Sequence, residues 1–235
     1  MLNAFVPRTD VLPPPQIALW PELNQVPGHF ALYGGTALAL HLGHRESIDF
    51  DFFSVQGIDP DHLLNAIPFL RNAQVLQKAE NTLDVSVDRG GAIKVSFFGL
   101  PNFRRILQPV ICPDNHIQVA SLLDLAGTKV SVVQKRSELK DYLDIAALLA
   151  DGRITLPMAL SAGQAIYGSQ FNPLISLKAL SYFGDGNLQS LPAQSRGLIV
   201  DAVRRVDLQR LPSVLPTSRT HQPNGGRHSP GGMGT

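Results

Sequence analysis

The stretch Tyr33-Gly-Gly-Thr-Ala-Leu-Ala-Leu-His-Leu-Gly-His-Arg-Glu-Ser-Ile-Asp-Phe-Asp-Phe-Phe53 limits what this chain can fold into more than any other. Asp49 and Asp51 alternate with Phe50 and Phe52, the period of two that an extended strand imposes. Both carboxylates then project from one face and both rings enter the core. Upstream, the apolar run from Phe30 to Tyr33 meets Gly34-Gly35, and Thr36-Ala-Leu-Ala-Leu-His-Leu42 reads as a short helix stopped by Gly43. A strand, a glycine entrance, a short helix and a second strand bearing paired acids leave few folds open.

The chemistry of these residues points one way. Two hard oxygen ligands on a rigid face suit Mg²⁺ or Mn²⁺, which takes one or two carboxylates and completes its shell with water and substrate phosphate. A glycine pair at a helix entrance lets the backbone approach a ligand, and the free N–H groups there attract phosphate. Each half alone is ordinary, since glycine turns and acids on strands are common. Joined within twenty-one residues, they predict a nucleoside triphosphate held with its metal. A haloacid-dehalogenase-type phosphatase also carries an Asp-x-Asp strand, but without the preceding glycine helix.

Composition narrows the setting. A chain of 235 residues with 44% hydrophobic residues can bury a good core as one domain or two small ones. Its net charge of +1 argues against a strong global field for nucleic acid, so any RNA contact must be local. The single cysteine, Cys112, excludes an internal disulfide and a multi-cysteine zinc site, which fits a reducing cytoplasm. Residues 1–15 lack the basic start and apolar run of a signal peptide, and no apolar stretch reaches membrane-spanning length. The histidines are scattered, and only His44 falls near the proposed site.

Along the chain, Pro13-Pro14-Pro15 leads to a helical patch over 16–23, interrupted by Pro21 and anchored by Trp20. Asp59-Pro60-Asp61 caps and opens a helix whose Leu63, Leu64, Ile67 and Leu70 share a face. Residues 82–88 and 92–98 flank Arg89-Gly90-Gly91 as a hairpin, and 116–120 forms a short strand. Ser121 opens a helix to about Gln134, and Ser137 caps another to about Ala150. Helices follow over 155–167, 172–183 with Gly184 as stop, and 195–208. The organisation expected is a core over 1–120, a helical part over 121–210 completing the site, and a disordered tail over 211–235.

A second constellation, Lys129-Val-Ser-Val-Val-Gln-Lys-Arg-Ser-Glu-Leu-Lys-Asp-Tyr-Leu-Asp144, places Lys129 and Arg136 seven apart, on one side if the first helix reaches that far. Asp141 and Asp144, three apart, are neighbours on the second. Spacing alone fits a solvated face with ion pairs, but a site handling triphosphate needs such cations. With Tyr33-Gly-Gly-Thr-Ala-Leu-Ala-Leu40 and Gly43-His-Arg-Glu-Ser-Ile-Asp-Phe-Asp-Phe-Phe53, these segments make the chain similar to the AbiEii/AbiGii nucleotidyltransferase toxins of the DNA polymerase beta-like superfamily, over about residues 12–210.

The resemblance implies an α+β fold: a small mixed-sheet nucleotidyltransferase core with flanking helices and a helical C-terminal part. It also implies Mg²⁺ or Mn²⁺, a nucleoside triphosphate donor, an RNA (tRNA-like) or protein acceptor, and an antitoxin encoded nearby. Carried over by position, Gly34, Gly35 and Thr36 grip phosphate, with Lys129, Arg136 and Lys140 on the nucleotide. Asp49 and Asp51 bind metal. Asp144, with Asp141, is the acid of the helical motif, and Arg45 and Ser47 order the turn before the strand. One departure stands out. Where related enzymes place a third carboxylate on the next strand, Ile93-Lys94-Val95-Ser96-Phe97-Phe98 offers Ser96 or Lys94. Asp144, Asp84 or Asp88 would then have to supply it, or the chain is a catalytically weak binding module of the same fold.

Overall fold

The computed structural model describes residues 5–217. It is mixed α/β, with every strand before residue 120 and helices α4 to α8 after it. Strands β1 (Phe30–Tyr33), β2 (Phe50–Ser54), β3 (Gln74–Ala79), β4 (Thr82–Asp88), β5 (Ala92–Gly99), β6 (Val110–Ile111) and β7 (Gln118–Val119) form one sheet in the order β3-β4-β5-β2-β1-β7-β6. β1 runs antiparallel to β2, while β2 and β5 are parallel. The helices are α1 (Pro14–Leu19), α2 (Gly34–Leu42), α3 (Pro60–Ala66), α4 (Leu122–Val132), α5 (Leu139–Asp151), α6 (Leu156–Tyr167), α7 (Pro173–Leu180) and α8 (Ala193–Arg204).

The alternation at β2 sorts the sheet's two faces. Phe50 and Phe52 are fully buried, and Phe52 stacks on Phe97 of β5 at 5.4 Å between ring centroids. This face is covered by the N-terminal segment, where Trp20 packs against Phe50 and donates its indole N–H to Asp114 at 2.6 Å, an anchor as expected. The opposite face carries Tyr33, Asp51, Ser96 and Asp84 in one cross-strand row, because Tyr33 pairs with Asp51, Asp51 with Ser96, and Ser96 with Asp84. Tyr33 also stacks on Phe53, and both meet Phe103 edge-on. Phe103 in turn meets Tyr167 at the end of α6, so an aromatic bridge joins the sheet to the helical half.

Local signals set several boundaries where they were read. Gly43 ends α2 at φ +63°, Asp59 caps α3 by accepting from the amides of Asp61 and His62, and Ser121 and Thr155 cap α4 and α6. Others were overridden by tertiary contacts. Ser137 does not cap α5: the N-cap is Glu138, whose side chain makes no capping bond, and the Leu139 amide is satisfied by Asn187 Oδ1 at 2.7 Å. The helix over 172–183 stops at Leu180, since the Tyr142 hydroxyl takes the Ala179 carbonyl and the chain turns at Ser181 before reaching Gly184. The helix over 195–208 begins at Ala193 and ends at Arg204. The fully exposed edge strand β3 carries no alternation and was not anticipated.

Residues 211–217 carry no helix or strand, yet the Thr217 amide bonds the Arg105 carbonyl at 2.8 Å. The remainder of the segment read as a tail, 218–235, lies outside the described residues.

Candidate active site

β1 delivers the chain to the site at Tyr33, and the glycine pair follows. Gly34 sits at φ +72°, and a Cβ there would lie 2.5 Å from Asp51 Oδ2. A Cβ on Gly35 would collide with the Arg45 guanidinium. The glycines therefore admit one of the protein's own acids and one of its own bases, as well as opening the first turn of α2 to a ligand. Thr36 is buried, and its hydroxyl shares hydrogen bonds with the Ser47 hydroxyl (2.8 Å) and the Asp49 carbonyl. Its side chain is occupied in pinning the 43–49 loop.

Asp51 in β2 and Asp49, which immediately precedes that strand, line one wall of the site. Burial, then the charge of Asp49, raise the Asp51 carboxyl above its usual range, against the pull of Lys94 and Lys129. Two neighbouring carboxylates, one of them raised by burial and by the other's charge, are the donor set a hard divalent cation would satisfy. Asp49 and Asp51 thus fit a metal.

The opposite wall is cationic and is held from beneath. Asp144 is fully buried and accepts from His44 Nε2 (2.7 Å), from Arg45 Nε and Nη2 (2.7 and 3.0 Å), and faces Lys129 Nζ at 2.5 Å. Asp141, also fully buried, accepts from Lys129 Nζ (2.9 Å) and Arg136 Nε (2.8 Å). Burial alone would raise the Asp144 carboxyl, but His44, Lys129 and Arg45 together outweigh it and hold it far below the carboxylate range. Arg136 and Lys129 depress Asp141 in the same way against its burial. Both carboxylates are engaged as buried counter-ions, holding Arg45, Lys129 and Arg136 in place.

Between the walls lies a cavity of about 530 Å³, the scale of a small-molecule site. Of the residues singled out from sequence, Gly34, Gly35, Asp49, Asp51, Lys129, Arg136 and Lys140 line it, while Thr36, Asp141 and Asp144 do not. Lys129 and Arg136 converge as expected, but by a different route. α4 ends at Val132, and the following turn, not a shared helical face, brings Arg136 to Asp141. Asp88 is taken up in the hairpin turn, where it accepts from the Gly90 and Gly91 amides. Asp84 pairs with Lys94 at 2.9 Å. Among the described residues no third His, Cys, Asp or Glu joins Asp49 and Asp51 in a metal-ready cluster.

Sequence reasoning gave Arg45 a turn-ordering role, and its bidentate grip on Asp144 makes it a cation of the site. Tyr33, Glu46, Phe53, Thr128 and Tyr167 also line the cavity and were missed. Only the stacking partners on adjacent strands, Tyr33 and Phe53, carried a readable signal. A second cavity, about 590 Å³, adjoins the first and shares Phe53 and Tyr167 with it.

Acids on one wall, cations on the other and helix amides at the end suit a metal-held polyphosphate, and on this mixed sheet they define the nucleotidyltransferase class. Two solved structures share the fold: a candidate nucleotidyltransferase from H. pylori (TM-score 0.52, 15% identity, 80% of this chain and 90% of that one) and MenT4, a nucleotidyltransferase toxin from Mycobacterium tuberculosis H37Rv (TM-score 0.53, 14% identity, 83% of each). The family model for the nucleotidyl transferase AbiEii toxin of type IV toxin–antitoxin systems matches residues 21–211, and the chain belongs to that family. An uncharacterized protein of Aquifex aeolicus (strain VF5) is 33% identical over 118 residues, which are 49% of this chain and 55% of that protein, so the match spans about half its length.

Proposed function

We propose that this nucleotidyltransferase moves a nucleotide from a nucleoside triphosphate to a hydroxyl of RNA or protein, as the toxin component of a pair whose antitoxin is encoded nearby. The observation that carries the reading is the pairing, across one cavity, of Asp49 and Asp51 with Arg45, Lys129, Arg136 and Lys140. Asp49 and Asp51 hold Mg²⁺ or Mn²⁺, which when bound supplies Lewis-acid polarisation of phosphate oxygens. The cations face the triphosphate, with Lys129 fixed by two buried aspartates. The acceptor oxygen bonds to the α-phosphorus, the bond to the pyrophosphate oxygen breaks, and the departing charge meets Lys129 and Arg136. The hydroxyl proton leaves to water at the mouth, where among the described residues Glu46 is the only lining carboxylate outside the pair. The adjoining cavity behind Phe53 and Tyr167 offers room for the acceptor.

The protein belongs in a reducing compartment, the cytoplasm, where buried Cys112 stays a free thiol. Among the described residues no helix is long and apolar enough to cross a membrane. The test is incubation with Mg²⁺, each α-labelled nucleoside triphosphate in turn, and total RNA plus cell protein, beside an Asp49→Asn/Asp51→Asn variant. Label transferred by the wild type alone supports the proposal and shows the acceptor class; equal transfer by both refutes the site.

A further inference from the structure

Beside the aspartate pair lies a second charged pair that the reaction above does not use. Phe50 pairs with Val95, so Lys94, one residue earlier on β5, falls next to Asp49. Lys94 and Ser96 are two apart and share the face that carries Asp49 and Asp51. Ser96 occupies the register position opposite Asp51, and Asp84 stands one strand further on. Asp84 is 7% exposed, with one oxygen 2.9 Å from Lys94 Nζ and the other without a hydrogen-bond partner among the described residues. The Lys94 side chain is 44% exposed, and its ammonium is tethered to Asp84 on β4 rather than buried.

Two divalent ions about 3.5–4 Å apart, as in two-metal phosphoryl-transfer sites, need carboxylate oxygens enough to share. Here Ser96 is a neutral hydroxyl, the described residues provide no third ligand for a metal, and an ammonium lies alongside. One divalent ion already neutralises Asp49 and Asp51; a second would meet the ammonium of Lys94, whose own acid, Asp84, is already engaged by it.

We propose that Lys94, held by Asp84, takes the place of a second metal ion, so that the site binds a single divalent cation. The charges agree with the geometry. The hydrogen bond to Asp84, then the charges of Asp84, Asp51 and Asp49, raise Lys94 above its ordinary value despite some burial, which keeps the ammonium charged. The inference rests on the reading that Asp49 and Asp51 bind metal.

The test is Mn²⁺ electron paramagnetic resonance on the full chain with an equimolar mixture of the four α,β-imido nucleoside triphosphates. The wild type should give a mononuclear protein-bound spectrum. The Lys94→Asp/Asp84→Asn variant, which puts an acid beside Asp49, should give the finer splitting of an exchange-coupled pair. The Lys94→Met/Asp84→Asn variant, which removes both charges and keeps the shapes, should bind Mn²⁺ severalfold more tightly. A coupled pair in the wild type, or unchanged Mn²⁺ affinity in the Met/Asn variant, overturns the proposal and leaves the metal reading standing. No protein-bound Mn²⁺ in the wild type overturns both.

Discussion

Asp144→Asn tests whether the buried acid is a structural counter-ion. The wild-type carboxylate serves four nitrogens of His44, Arg45 and Lys129 from a fully buried position. Asparagine keeps one acceptor oxygen and turns an amide donor toward the cations, so at least one charge-assisted bond becomes a donor-to-donor contact. Removing one partner of such a buried network costs about 3–5 kcal/mol. For a chain of this length each kcal/mol shifts the melting temperature by roughly 2–4 °C, hence a fall of roughly 6–20 °C.

Urea denaturation at stepped pH measures the gap between wild type and variant. The folded Asp144 pKa is depressed, so its contribution is fully present above the unfolded carboxylate value near 4 and is lost as pH falls from there toward the folded value. The gap should therefore narrow on acidification. A gap below about 1 kcal/mol at neutral pH, within the range of surface pairs, would refute the account, as would one of constant size down to about pH 3.

Gly34→Ala should cost about 1–3 kcal/mol through its left-handed backbone and a Cβ 2.5 Å from Asp51 Oδ2; calorimetry and a Mn²⁺ titration should show lower stability and weaker binding together. Asp51→Asn should do the reverse to stability. The folded Asp51 pKa is raised, so ionisation destabilises the fold as pH rises, and at neutral pH the neutral amide should raise the melting temperature while abolishing Mn²⁺ binding; a lower melting temperature would contradict this. Trp20→Phe forfeits the 2.6 Å bond to Asp114 and should cost about 1–2 kcal/mol in urea denaturation. It should leave nucleotide affinity unchanged, because Trp20 packs on the far face of the sheet.

The parts legible in the sequence are those in which neighbours along the chain decide the outcome. Phe50 and Phe52 are buried while Asp51 faces the other way because a strand alternates, Gly43 ends a helix because it tolerates φ +63°, and Ser121 caps α4 through a local bond. The hairpin of β4 and β5 follows from its turn. What stayed hidden depends on residues distant in sequence. Nothing near Arg45 announces that it grips Asp144, ninety-nine positions away, so a residue of the cavity wall read only as part of a turn. Asn187 takes over the N-terminal amide that Ser137 was expected to serve. β3 is exposed at every position, so no buried face imprinted a pattern on it.

The tie between His44, Arg45 and Asp144 also bears on how the protein is made. The glycine entrance, Asp49 and Asp51 are synthesised early, but the Arg45 guanidinium lacks the Asp144 carboxylate until the chain has grown a hundred residues beyond His44. Lys129 likewise waits for Asp141 and Asp144. A ribosome-bound chain ending before α5 would carry the acidic wall without the seated cations opposite it. The seating of these cations is thus a late event in synthesis.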